Sequence, residues 1–289
     1  MAKILVFGGT RFFGKHLVEQ LLEQKHDVTI ATRGNVEASF DRHVTRCIVD
    51  RTDTDALLAL FEEETFDVVY DNICYTPQQA KQLCDVLNGK GTRVVFTSTM
   101  ATYAADGERK TEQDFEPRTY TYDVESDAVL SYGEGKKQAE AVYTAYATFP
   151  VTIVRFPIVM GTDDYTERLV YYVERIMNEQ PVALTNVEAK MGFITSLEAG
   201  AFLAWIGGQQ KDGIWNAVSD GDITMGQLIE KIERAAQKKA TIAQGSDSPY
   251  SIPASWYMSN EKAKRAGFSF STLDDWLDDL IAYDVRHFA

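Results

Sequence analysis

Long apolar runs are missing from this chain: no stretch approaches the ~20 consecutive apolar residues that a membrane span requires, so no spanning helix is expected. The N-terminus passes straight into a strand-type segment, without the apolar region of a secretory leader, and a cytoplasmic protein is expected. Cysteine is scarce. Cys47, Cys74 and Cys84 are odd in number and lack the spacing of metal ligands, which argues against a disulfide framework or a metal centre. Cys47 and Cys74 fall in segments that read as buried strands, where a thiol serves as a small core hydrophobe in a reducing compartment. Positive charge is also short, with 29 Lys and Arg against 43 Asp and Glu, and the net charge of −14 is spread along the chain. That field repels a phosphate backbone, so bulk nucleic-acid binding is not expected, although local amides and one or two arginines can still hold a charged cofactor. Repeats and low-complexity tracts are absent as well.

What the chain does have is alternation. Its 289 residues, 45% hydrophobic, suffice for one large domain or two interleaved ones. Strand-type segments at 3–7, 27–32, 46–50, 67–71, 93–97 and 151–156 alternate with helix-type segments at 12–24, 54–64, 77–88 and 131–148. Short connections between them predict a doubly wound parallel sheet, an α/β fold of Rossmann type. Beyond residue 156 the pattern loosens into a helix at 165–178, strands at 181–184, 193–195 and 214–218, helices to 206 and over 224–239, and a helical end from 273. We therefore expect a dinucleotide-binding domain over 1–160, with 193–218 adding a closing strand and helix, and a smaller substrate lobe from 161–192 and 219–289. Residues 104–130 form the longest weakly patterned segment, a length at which loops are usually functional.

Two local patterns carry chemistry. Ser131-Tyr132-Gly133-Glu134-Gly135-Lys136 places a phenol and an ammonium four residues apart, on one face of a helix. A tyrosine titrates near ~10, and lowering it to neutrality takes about 4 kcal/mol. An ammonium at ~4–5 Å, with an effective dielectric near 20, supplies about 3–4 kcal/mol of that. Tyr132 is thus a candidate acid/base. The second pattern is Lys3-Ile4-Leu5-Val6-Phe7 followed by Gly8-Gly9-Thr10-Arg11-Phe12-Phe13-Gly14 and an amphipathic segment from Lys15. Glycines also close ordinary βα connections, but a strand before, a helix after and a tyrosine of this kind downstream select a turn whose helix amides receive a pyrophosphate.

With these motifs the chain resembles the extended short-chain dehydrogenase/reductases, the NAD-dependent epimerase/dehydratase family, over nearly its whole length. The turn from Gly8 to Gly14 is similar to the family's G-x-x-G-x-x-G, Val94-Val95-Phe96-Thr97-Ser98-Thr99 to its strand with a terminal hydroxyl cluster, and Tyr132 with Lys136 to its catalytic pair. Thr111-Glu112-Gln113-Asp114 resembles its acidic loop, Arg155-Phe156-Pro157-Ile158-Val159-Met160-Gly161 its strand beside the nicotinamide, and Phe193-Ile194-Thr195-Ser196-Leu197-Glu198-Ala199 a degenerate form of its segment behind the substrate lobe. The resemblance implies Tyr132 as acid/base, Lys136 as its tuner and a ribose ligand, and Thr99 as the holder of the substrate oxygen. It implies cofactor contacts from Gly8, Thr10, Arg11, Phe12, Phe13 and Gly14, from Asp50 and Arg51 at the adenine, from Asn72, Ile73 and Cys74, and from Phe156, Pro157 and Ile158; no metal is implied.

Three departures bear on function. Arg11 replaces the usual second glycine and offers a guanidinium in its place. Ile30-Ala31-Thr32-Arg33-Gly34 ends without the carboxylate that accepts from a ribose 2′-hydroxyl, and Arg33 lies where a 2′-phosphate would sit, which favours NADP over NAD. Lys190-Met191-Gly192 lacks an arginine, and Thr195 stands where histidine is common, so the usual nucleotide-sugar grip is altered. The expected function is an oxidoreductase or epimerase on a hydroxylated small molecule, a sugar or nucleotide sugar, with a homodimer as the assembly. The alternatives are a simple NADPH-dependent carbonyl reductase and a non-catalytic, cofactor-sensing or RNA-associated relative, since the GGTRFFG turn resembles an atypical branch with members described as RNA-binding.

Overall fold

The structure is a computed structural model that describes residues 1–35, 39–40, 42–209 and 211–288. Its centre is a parallel sheet of seven strands: β1 (Lys3–Phe7), β2 (Asp27–Thr32), β3 (Thr45–Ile48), β4 (Val68–Asp71), β5 (Arg93–Thr99), β6 (Val151–Phe156) and β7 (Gly213–Asn216). They run in the order β7-β6-β5-β4-β1-β2-β3, every neighbouring pair parallel. The doubly wound α/β expectation therefore holds, with the chain reversing its direction of growth between β1 and β4.

Period-two alternation divides the central strands between two cores. Ile4 and Val6 of β1, Val95 of β5 and Val154 of β6 face α1 (Phe12–Glu23) and the later helix Ser196–Gly208. Leu5, Phe7, Val94, Phe96 and Ile153 face α2 (Thr54–Glu63), α3 (Pro77–Leu87) and α4 (Tyr132–Tyr146). Each fully buried aliphatic or aromatic side chain contributes about 1.5–3 kcal/mol, which is why the inner strands need no polar face. Capping residues set the helix starts: Thr76 accepts from Gln79 N with Pro77 in the first turn of α3, and the Ser131 hydroxyl accepts from Glu134 N at α4.

A third core gathers α5 (Arg168–Met177), α7 (Met225–Ala236) and α9 (Leu273–Phe288) through Leu169, Tyr172, Phe193, Leu228 and Leu277, while α6 (Ser196–Gly208) and α8 (Glu261–Arg265) pack into the first core. Strand Ile158–Met160 pairs in parallel with Phe193–Thr195 and leads from the sheet toward this core. No helix among the described residues is long and apolar enough to cross a membrane.

Several boundaries differ from the sequence reading. The third strand covers Thr45–Ile48 instead of 46–50, because it is the exposed edge of the sheet and Asp50 folds its carboxylate onto Thr52 N and Oγ1. Cys47 is accordingly only half-buried, and Cys74, although fully buried, lies in the loop after β4 and not in a strand. Helix α5 begins at Arg168, not 165, because Glu167 adopts a left-handed φ of 54° and stops the helix there. The 104–130 segment is built from short turns at Glu112–Asp114 and Pro117–Thr119 and a two-residue strand, Arg109–Lys110, paired with Tyr257–Met258.

Candidate active site

The turn between β1 and α1 needs glycine at two of its positions. Gly8 has φ +77°, and a Cβ at Gly14 would stand 1.9 Å from the Gly8 carbonyl oxygen, so the first helical turn can close on the strand only without a side chain there. Arg11 differs: its φ of −140° is extended backbone open to any residue, so a glycine is not required at that position. Its side chain is exposed, makes no capping hydrogen bond, and precedes helix amides with no acidic residue in the first turn, an arrangement receptive to an anion. Thr10 is half-buried beside it. Phe12 takes a φ of 53°, uncommon for a bulky residue, and packs edge-on against Tyr165, while Phe13 leans on Phe156.

The adjoining strand ends continue this rim. Arg33 is exposed just past β2, and its charge helps hold the Asp50 carboxyl below its usual range, after the Thr52 hydrogen bonds. Arg51 is a correction to a simple adenine-contact role: its guanidinium is buried and donates to both oxygens of Asp71 and to Gln79 O, so any contact it makes with a cofactor comes from its backbone. Tyr143 donates to the same Asp71 at 2.7 Å, joining α4 to the end of β4. Asn72 accepts from Thr97 Oγ1 at 2.7 Å, while its Nδ2 is buried without a partner, a donor awaiting an acceptor in this cleft. Ile73 is half-buried and would meet any Cβ at Gly8 at 2.7 Å. Burial pushes the Cys74 thiol up to about 12, so it is inert packing.

Tyr132 and Lys136 reach the same edge because α4 presses unusually close to the sheet. A Cβ on Gly133 would lie 2.7 Å from Ala101 O, and one on Gly135 would lie 2.3 Å from Tyr75 O. Thr99, at the end of β5, is within hydrogen-bonding reach of the Tyr132 phenol. Lys136 is buried; its Nζ donates to Thr97 O at 2.7 Å and lies 4.8 Å from the ring centres of Tyr75 and Phe96. Burial brings its pKa down to about 8.

The expected tuning of Tyr132 by Lys136 is not what this geometry does. Burial raises the phenol above its usual value, the nearby Thr99 hydroxyl and the charge of Arg168 lower it, and the lysine points instead at a strand carbonyl. Tyr132 is 55% exposed, so the desolvation is partial. Tyr75, Tyr165 and Arg168 were not singled out in the sequence. Tyr75 directly follows the Asn72–Cys74 rim, a cue that was available; Tyr165 and Arg168 arrive through tertiary packing alone.

A buried ion pair braces the site from behind. Arg155 on β6 donates to Glu140 of α4 at 2.5 and 3.0 Å, and Ser98 donates to the same carboxylate. Arg155 also donates to Tyr103 Oη, Glu112 O and Phe115 O, so it ties the 103–115 loop to the sheet. Phe156 and Pro157 are buried and Ile158 is half-buried beside this brace. Among the described residues no group of His, Cys, Asp and Glu is placed to hold a metal.

Comparison with known proteins agrees with this architecture. The chain is 25% identical over 252 residues to the chloroplast stem-loop binding protein of 41 kDa b of Arabidopsis thaliana, covering 81% of this chain and 63% of that protein. It is 24% identical over 263 residues to the 2′-dehydrokanamycin reductase of Streptomyces kanamyceticus, covering 88% of this chain and 70% of that one. The chain thus spans about two thirds of the length of these relatives. The solved UDP-glucuronic acid 4-epimerase of Bacillus cereus, in complex with NAD, superposes with a TM-score of 0.75 at 17% identity, over 99% of this chain and 100% of that one. The family model of the NAD dependent epimerase/dehydratase family matches residues 4–216. With most of its length matched and the sheet, glycine turn and tyrosine helix all in place, the chain belongs to the NAD-dependent epimerase/dehydratase family of oxidoreductases and epimerases.

Proposed function

We propose that this protein is an NADP-preferring oxidoreductase or epimerase acting on a hydroxylated small molecule of the sugar or nucleotide-sugar class, with Tyr132 as the acid/base. The meeting of the Thr99 hydroxyl, the Tyr132 phenol and the Lys136 ammonium on the rim that carries the Gly8–Gly14 turn is the observation that supports it. The glycine cradle and the orphaned Asn72 Nδ2 fit a dinucleotide, which supplies the hydride donor or acceptor when bound. Thr99 would hold the substrate oxygen and Tyr132 Oη would give a proton to it or take one from it. Lys136 has three donors and uses one on Thr97 O, leaving the others for ribose hydroxyls. A phenol held protonated at neutral pH is set to donate, the role needed when a carbonyl is reduced.

The substrate class draws support from the relatives, one named 2′-dehydrokanamycin reductase and one a UDP-glucuronic acid 4-epimerase. The NADP preference rests on exposed Arg33 and on the absence of a carboxylate from Ile30 to Gly34, against a structural neighbour solved with NAD. The reductase name also favours a simple carbonyl reductase that releases its cofactor, whereas a recycling epimerase would purify with cofactor bound. The stem-loop binding relative suggests an RNA role, which the net charge of −14 opposes.

The test is NADPH consumption, or isomer formation, over a panel of keto-sugars and nucleotide sugars. Tyr132→Phe is expected to keep cofactor binding and to lower turnover by at least ~10²-fold, since it removes the proton path and little else. Unchanged turnover in that variant would take Tyr132 out of the mechanism, and stem-loop RNA binding without any turnover by the wild-type protein would replace this reading with the RNA-associated one.

A further inference from the structure

The segment 161–167 joins strand Ile158–Met160 to α5 and brings Tyr165 and Arg168 close enough to act electrostatically on the Tyr132 phenol. It is held from the opposite side of the cleft. Asp163 Oδ2 lies 2.9 Å from His16 Nε2, a contact between residues 147 apart in sequence, and its Oδ1 accepts from Ser196 Oγ at 2.7 Å. His16 stands in the first turns of α1, with Nδ1 3.1 Å from Glu19 Oε2. Two glycines allow the approach: a Cβ on Gly200 would stand 2.7 Å from His16 Cβ, and one on Gly161 would stand 2.5 Å from Ser196 Oγ and 2.6 Å from Asp163 Oδ1. The Phe12–Tyr165 edge contact, at 5.9 Å between ring centres, is a second link from the same helix start to the same segment.

We propose that His16 and Asp163 are positioning residues: their pair latches the 161–167 segment onto the helix that carries the glycine turn, and so sets where Tyr165 and Arg168 stand at Tyr132. The helix that would receive the cofactor and the segment that walls the substrate side are thereby one mechanical unit. The charged groups around His16 are Lys15, Glu19 and Glu23 on its own helix, Asp163 from the segment, Arg42 from the stretch before β3, and Asp279 and Arg286 from α9; α6 contributes the Ser196 hydroxyl. The two carboxylates in contact outweigh partial burial and hold His16 above its usual 6.5. A histidine raised in this way contributes most at pH below its unfolded value, and the contribution is lost as pH rises through its folded value. The latch is therefore tightest in mild acid and loosens above neutrality. The side chains are 18% and 35% exposed, so the expected effect is modest, about two- to fivefold in local opening.

Amide hydrogen exchange of the substrate-free protein reads this directly, and therefore independently of the proposed activity on which the latch's functional meaning rests. The Asp164 and Glu167 amides donate to Gly161 O and Asp164 O within the segment. With intrinsic exchange rates divided out, wild-type protection there is expected to fall about two- to fivefold between pH ~6 and ~8.5, His16→Gln to show no such fall, and Asp163→Ala to be low throughout. Asp163→Asn, which keeps the Ser196 contact, serves if the alanine variant does not fold, and is expected to lose the pH response. Wild-type protection at mildly acid pH in a folded Asp163 variant, or an unchanged pH response in His16→Gln, overturns the proposal.

Discussion

Replacing Lys136 with methionine should change the pH dependence of stability by an amount the structure fixes. The lysine is 1% exposed, and burial lowers its pKa from 10.5 to about 8. Because the unfolded chain keeps the proton more tightly than the folded one, the charged lysine opposes folding below the folded value, and this opposition is relieved as pH rises from there toward 10.5. Linkage over that interval gives a burden of about 3 kcal/mol at pH ~7 and about 1.4 kcal/mol at pH ~9.5, so the wild-type protein should gain ~2 kcal/mol relative to Lys136→Met between those two conditions. Taking the difference between proteins removes the repulsion among the remaining charges, and the loss of the Thr97 hydrogen bond is nearly constant with pH. Urea unfolding of both proteins at both pH values, with midpoint and slope fitted, measures it. If the two stabilities move in parallel within about 0.5 kcal/mol, Lys136 is not held with a depressed pKa, and the aromatic enclosure by Tyr75 and Phe96 does not desolvate it.

Arg33→Ala should weaken NADP by roughly 10- to 150-fold, the equivalent of a charge-assisted contact of about 1.5–3 kcal/mol, while barely touching NAD. Calorimetric titration with both dinucleotides checks it, and equal losses would make Arg33 a support for the loop instead of a reader of the 2′-phosphate. Gly135→Ala must push α4 off Tyr75 O, from which the new Cβ would stand 2.3 Å, and should cost about 1–3 kcal/mol of stability together with cofactor affinity. Gly208→Ala, which meets nothing within 4 Å near the end of α6, is the control and should be neutral or stabilising on thermal melting.

Much of this molecule was legible in its sequence where burial is symmetric. Strands β1, β2 and β6 fall on the expected residues, because apolar side chains on both faces leave the backbone no other register. The edge strand β3, with three of its four residues exposed, carried no such constraint and was misplaced by its ends. Thr99, Tyr132 and Lys136 were legible because spacing on a helix and position at a strand end are local properties. The charge that acts on Tyr132 was not, since Arg168 comes from 36 residues further along the chain, after a left-handed Glu167 that no pattern announces. Arg51 likewise stood at the expected strand end while its side chain turned inward to Asp71.

Helix α4 holds Tyr132 and Lys136 at its start and Glu140 one turn later, and Arg155 of β6 joins that Glu140 to the 103–115 loop, whose carbonyls it also holds. The proposed reacting groups and the loop that would wall the substrate side are thus coupled through one helix and one arginine. A substitution that tilts α4 to admit a new substrate along the 103–115 side would also displace Tyr132, the proposed proton donor, so variation on that side would be penalised twice. Diversification of specificity is channelled to the opposite wall, which α4 does not carry, and homologues that share the tyrosine helix should differ most in length and composition between the equivalents of Gly161 and Arg168.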